Sequence, residues 1–79
     1  MSSLRRVLVT GATGYIGGRL VPRLLEAGYD VRVLVRNPVK MIDVPWADRV
    51  QIAVGDLSDA STLGEAMRDV NVLYYLVHA

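Results

Sequence analysis

Residues 10–17 read T-G-A-T-G-Y-I-G, and what flanks this segment decides the fold. Upstream, residues 4–10 (L-R-R-V-L-V-T) place a basic lead before an apolar, β-branched run that ends at Gly11. A short run of this kind, closed by a glycine, predicts a buried strand. Downstream, Ile16, Leu20, Leu24 and Ala27 recur at helical spacing, with Val21 and Leu25 beside them, until Gly28 supplies a stop. Pro22 falls inside that helix, where it deletes a backbone donor at a cost of about 3 kcal/mol. The apolar stripe stays in phase across it, so a single helix, kinked or loosened at Pro22, is expected.

Each glycine of the loop has a separate job in this setting. Gly11 lets the chain turn sharply off the strand, Gly14 leaves room for a pyrophosphate to approach the backbone, and Gly17 lets the helix press against the sheet. The unpaired N–H groups of the first helical turn and the positive end of its dipole then face an anion. A tight turn without ligand is the alternative, but three glycines at this spacing exceed what a turn needs, since each raises the entropy of the unfolded chain. A dinucleotide is the expected ligand, with Thr13, Tyr15 and Ile16 as lesser contacts of the same loop. Gly18 adds only close packing.

Beyond Gly28 the pattern repeats. Residues 30–36 (D-V-R-V-L-V-R) alternate as a second strand, which Asn37-Pro38 ends. Residues 37–49 hold Pro38 and Pro45 without a clean period and predict a loop with at most a turn or two of helix, Trp46 sealing the core edge. Residues 50–54 form a third strand, followed by G-D-L-S-D. Asp59 or Ser58 can cap a helix over residues 60–68 that turns Leu63, Ala66 and Met67 inward. Residues 71–77 (N-V-L-Y-Y-L-V) form the fourth strand, in which Tyr74 and Tyr75 point to opposite faces as packing residues.

The order β-α-β-(short α)-β-α-β, with crossovers long enough for parallel pairing, predicts an α/β, Rossmann-type doubly wound parallel sheet of four strands in the order 3-2-1-4. The second full helix belongs on the face opposite the first. Residues 1–79 make one unit, the N-terminal part of such a domain.

Composition narrows the functional classes. Over 79 residues, nine Lys and Arg balance eight Asp and Glu, and 52% of the chain is apolar. A folded chain is thereby expected, and the near-neutral charge gives no electrostatic footprint for nucleic acid or an anionic membrane surface. There is no cysteine, and the lone His78 lacks partners for a metal site. No stretch approaches the roughly 18 apolar residues of a spanning helix or the h-region of a signal peptide, so a cytoplasmic setting follows by default. A chain this short buries only about 60% of its unfolded surface, and a parallel sheet needs helices on both faces, so an incomplete, truncated domain is expected.

The cofactor type is read at the end of the second strand. An acidic residue about 20 positions beyond the loop would bind the adenosine ribose of NAD, whereas an arginine can hold the 2′-phosphate of NADP. Position 36 is arginine, so NADP is favoured over NAD. Asn37 can add a donor, and Lys40 or Arg19 a second cation.

The spacing Gly-x-x-Gly-x-x-Gly is one residue longer than the commonest dinucleotide fingerprint. Together with the second strand and G-D-L-S-D it resembles the short-chain dehydrogenase/reductase superfamily, in its extended or atypical branches. The resemblance spans all 79 residues and corresponds to the N-terminal half of such a protein. Residues 74–78 (Y-Y-L-V-H) are similar to a bacterial branch of atypical members. The resemblance implies that Asp56, with Leu57 beside it, contacts the adenine, while the residues themselves equally allow Asp56 to be a turn former after Gly55. It also places Val77, His78 and Ala79 in a loop along the nicotinamide side.

Hydride-transferring members of that superfamily use a Tyr-x-x-x-Lys pair, and nothing in these 79 residues matches it. Two readings therefore stand: the NADP-binding half of an oxidoreductase or epimerase whose catalytic region is absent here, or a non-catalytic, redox-sensing dinucleotide module. A further expectation is homo-oligomerisation through the fourth strand, whose apolar edge carries neither Lys nor Pro.

Overall fold

The computed structural model describes residues 5–11, 15–56 and 58–75. Thr13, Gly14, Leu57 and residues 76–79 of the expectations above lie outside the described residues. Four parallel strands, β1 (Arg6–Thr10), β2 (Asp30–Val35), β3 (Gln51–Val54) and β4 (Val72–Tyr75), form one sheet in the order β3-β2-β1-β4. This is the Rossmann order read from the sequence. In register, Val7 stands opposite Val31 and Val72, and Val33 opposite Ile52.

Strand alternation sorts the core onto two faces. Val7 and Val9 of β1 and Val31, Val33 and Val35 of β2 share one face with Val21 and Leu24 of helix α1 (Tyr15–Glu26). The segment between β2 and β3 closes this face: two 3-10 turns, Pro38–Met41 and Ala47–Arg49, bracket the buried Met41 and Trp46. The opposite face buries Leu8 and Leu34 against Ala66 of helix α2 (Ala60–Ala66), as the crossover rule requires.

Local chemistry explains the element ends. Helix α1 runs through Pro22 as one element and stops at Gly28, whose φ of 92° permits the Tyr29 N–H to reach the Leu24 carbonyl and the Gly28 N–H that of Leu25, both at 3.1 Å. Helix α2 starts on Asp59, whose side chain accepts from the Ser61 N–H, and ends at Ala66, two residues before the expected Arg68. Arg32 points from β2 onto this face and donates to the carbonyls of Ala66 (2.6 Å) and Arg68 (2.9 Å), satisfying acceptors that the helix end leaves open. Asp69 follows with a φ of 62°. Tyr74, expected as a packing residue, is 38% exposed on β4, the edge strand among the described residues. No helix among the described residues is long and apolar enough to cross a membrane.

Candidate functional site

Because all strands are parallel, the residues that follow β1, β2 and β3 lie along one edge of the sheet: Gly11, Arg36, and Gly55 with Asp56. In open α/β sheets, ligands bind at this edge. Gly11 is exposed with a φ of 73°, a left-handed conformation that costs a side-chain-bearing residue and lets the chain leave the sheet. Thr10 before it is buried, and its hydroxyl donates to the Tyr74 carbonyl at 3.4 Å, which ties β1 to β4 at the same edge. Helix α1 opens at Tyr15 and Ile16, so the glycine loop joins the end of a strand to the start of a helix, as its pattern predicts. Gly17 is buried in the first turn of α1.

The next position along the edge is cationic. Arg36 follows the last residue of β2 and is exposed. Asn37 uses its Oδ1 to accept from the Val39 N–H at 3.1 Å, capping the first 3-10 turn, and keeps its NH2 group as a donor. Lys40 lies exposed in that turn, and Arg19 lies exposed on α1. A guanidinium at Arg36 and an amide donor at Asn37, adjacent in the chain after β2, suit a phosphate.

At the third position, both readings of Asp56 are compatible. Its Oδ1 accepts from the Ser58 N–H at 3.0 Å, the turn-forming role. A carboxylate offers about four acceptor sites, so this bond does not exhaust it. The Ser58 backbone and side-chain donors hold the Asp56 carboxyl below the usual carboxylate range; burial opposes them, and the positive charge of Arg36 adds a smaller lowering. The sequence reading missed Thr62, which binds the Asp56 backbone; the signal for it was a threonine in the helical turn after the Asp59 cap. Among the described residues no group of His, Cys, Asp or Glu could hold a metal ion.

These residues suit a nicotinamide dinucleotide: a glycine turn with a positive φ at the strand-helix junction, a cation after β2 and an acceptor after β3. The sequence pattern of the NAD(P)H-binding family matches residues 11–79. The chain is 38% identical to dihydroflavonol 4-reductase of Zea mays over 77 residues, 89% of this chain and 22% of that protein. It superposes on the structure named AtPrR2, solved with NADP+ and (+)pinoresinol, with a TM-score of 0.83 and 28% identity, covering 100% of this chain and 28% of the other. A short-chain dehydrogenase/reductase superfamily protein from Agrobacterium tumefaciens with bound NAD superposes with a TM-score of 0.74 and 27% identity, covering 95% of this chain and 21% of that one. The chain thus spans 21–28% of the length of these relatives. Strand order, the loop that joins sheet to helix and the family pattern agree, and the chain belongs to the NAD(P)H-binding family, as a Rossmann domain of the short-chain dehydrogenase/reductase type.

Proposed function

We propose that this chain binds NADP(H) in preference to NAD(H), as the dinucleotide-binding part of a reductase or epimerase of the short-chain dehydrogenase type. The observation that carries the preference is Arg36, an exposed guanidinium directly after β2, where an NAD-specific protein needs an acid. In this reading Gly11, Thr13, Gly14, Tyr15, Ile16 and Gly17 form the cradle of the diphosphate. Arg36 and Asn37 hold the 2′-phosphate, while Asp56 and Leu57 border the adenine. The cofactor, when bound, supplies or accepts a hydride at its nicotinamide ring. The 79 residues carry no Tyr-x-x-x-Lys pair, so their part is to bind and orient the dinucleotide, not to move the substrate's proton.

A charge-assisted hydrogen bond contributes about 1.5–3 kcal/mol, which sets the size of the test. Arg36→Ala should weaken NADP+ binding about ten- to a hundredfold in titration calorimetry, with the NAD+ constant unchanged. Equal losses for the two dinucleotides would refute the assignment of Arg36.

A further inference from the structure

We infer that Thr62 is a positioning residue for the adenosine end of the site and acts through Asp56, an inference that rests on the cofactor reading above. The Gly55 N–H bonds the Val35 carbonyl at 2.9 Å and carries the β2-β3 ladder one residue past β3. Beyond it, β2 has already turned aside at Arg36, and the Asp56 N–H needs another acceptor. Thr62, in the first turn of α2, provides one: its Oγ1 accepts from the Asp56 N–H at 3.1 Å. The single hydroxyl proton in turn has the Asp59 carbonyl at 2.9 Å and the Asp56 carbonyl at 3.1 Å as acceptors.

This approach requires glycine at position 55. A Cβ there would stand 2.6 Å from the Thr62 Cβ, 2.8 Å from its Oγ1 and 3.2 Å from the Leu34 Cδ1. Residue 56 is thus held twice, its backbone by Thr62 and its carboxylate by the Ser58 N–H at 3.0 Å. The Asp59 N–H closes the same turn on the Asp56 carbonyl at 2.9 Å. Thr62 itself lines the groove between β3 and α2 with Arg32, Ala53 and Glu65, so its effect on a ligand passes through the turn. It sets where the Asp56 acceptor stands relative to Arg36.

The test uses the full-length chain with NADP+ and adenosine 2′,5′-bisphosphate, the adenosine half alone, as probes. Thr62→Val keeps the shape and removes the hydroxyl, whereas Thr62→Ser retains it. Thr62→Val should weaken both probes by the same factor, about three- to tenfold for one lost hydrogen bond, and Thr62→Ser should bind as the parent does. In an Asp56→Ala background, Thr62→Val should cause no further loss, since the group it positions is gone. An additive loss in that background, a loss confined to NADP+, or unchanged binding by Thr62→Val would each overturn the inference while leaving the cofactor reading intact. A parent protein that binds neither probe would overturn both.

Discussion

Two side chains at the start of α2 show how single atoms govern this end of the sheet. At Gly55 a methyl group would meet Thr62 at less than van der Waals distance, and Thr62 is held by its own hydrogen bonds, so the strain has no soft outlet. Gly55→Ala should therefore destabilise the fold by about 1–3 kcal/mol, the usual range for overpacking, read as a lower urea midpoint at constant slope. Asp59 acts through charge. The Ser61 hydroxyl (2.8 Å) and N–H (3.1 Å) both donate to its Oδ1 and hold its carboxyl below the usual range. A carboxyl lowered in the folded state adds stability that is complete above its unfolded value, about 3.9, and is lost as the pH falls through the folded one. Asn at position 59 would keep a capping oxygen without a titrating proton. Asp59→Asn should accordingly show a smaller drop in melting temperature than the parent between neutral pH and about pH 3; parallel curves would remove Asp59 from the acid sensitivity.

Helix α1 carries the clearest conflict between local preference and fold. Pro22 cannot donate to the Gly18 carbonyl, yet Val21 and Leu24 on either side are buried in the larger core cluster. Burial of that stripe outweighs the propensity penalty, which in a helix interior is about 3 kcal/mol relative to Ala. Pro22→Ala should thus raise stability by about 1–3 kcal/mol in urea unfolding, with the dinucleotide constants unchanged; a destabilised variant would mean that the proline ring's own packing outweighs the lost donor. Elements of this kind were legible in the sequence because their causes are local. The Val alternation of β2, the stop at Gly28, the cap at Asp59 and the strand-glycine-helix order of the loop each depend on residues a few positions apart. Arg32 was not legible: its partners at Ala66 and Arg68 lie more than thirty positions away, and only the crossover brings them together. Thr62 and the exposure of Tyr74 escaped for the same reason, one depending on how closely α2 approaches Gly55 and the other on β4 standing at an edge.

Across the whole molecule the two faces of the sheet are unequal. Among the described residues, the face covered by α1 and the 3-10 segment has a cluster of nine buried residues, from Val7 to Trp46; the face covered by α2 has Leu8, Leu34 and Ala66, and Leu73 stays 43% exposed. The strands β1 and β2 are each hydrogen-bonded on both sides, whereas α2 depends on one buried residue, its Asp59 cap and the Arg32 bonds. Local opening is cheapest where little apolar surface is buried. Native-state hydrogen exchange should therefore give Val9 and Val33 amides opening energies near the global value and α2 amides, such as the Leu63 N–H bonded to Asp59, energies well below it. Dinucleotide at about a hundred times its dissociation constant should add about 2.7 kcal/mol to the global value. If the turn at Asp56 is part of the site, the same addition should raise protection in α2 as well, since α2 cannot leave without releasing Thr62 from the Asp56 N–H. Protection that rises in β1 and β2 alone would show α2 opening independently of the bound site, and uniform exchange before any ligand is added would show that the weaker face unfolds only with the stronger.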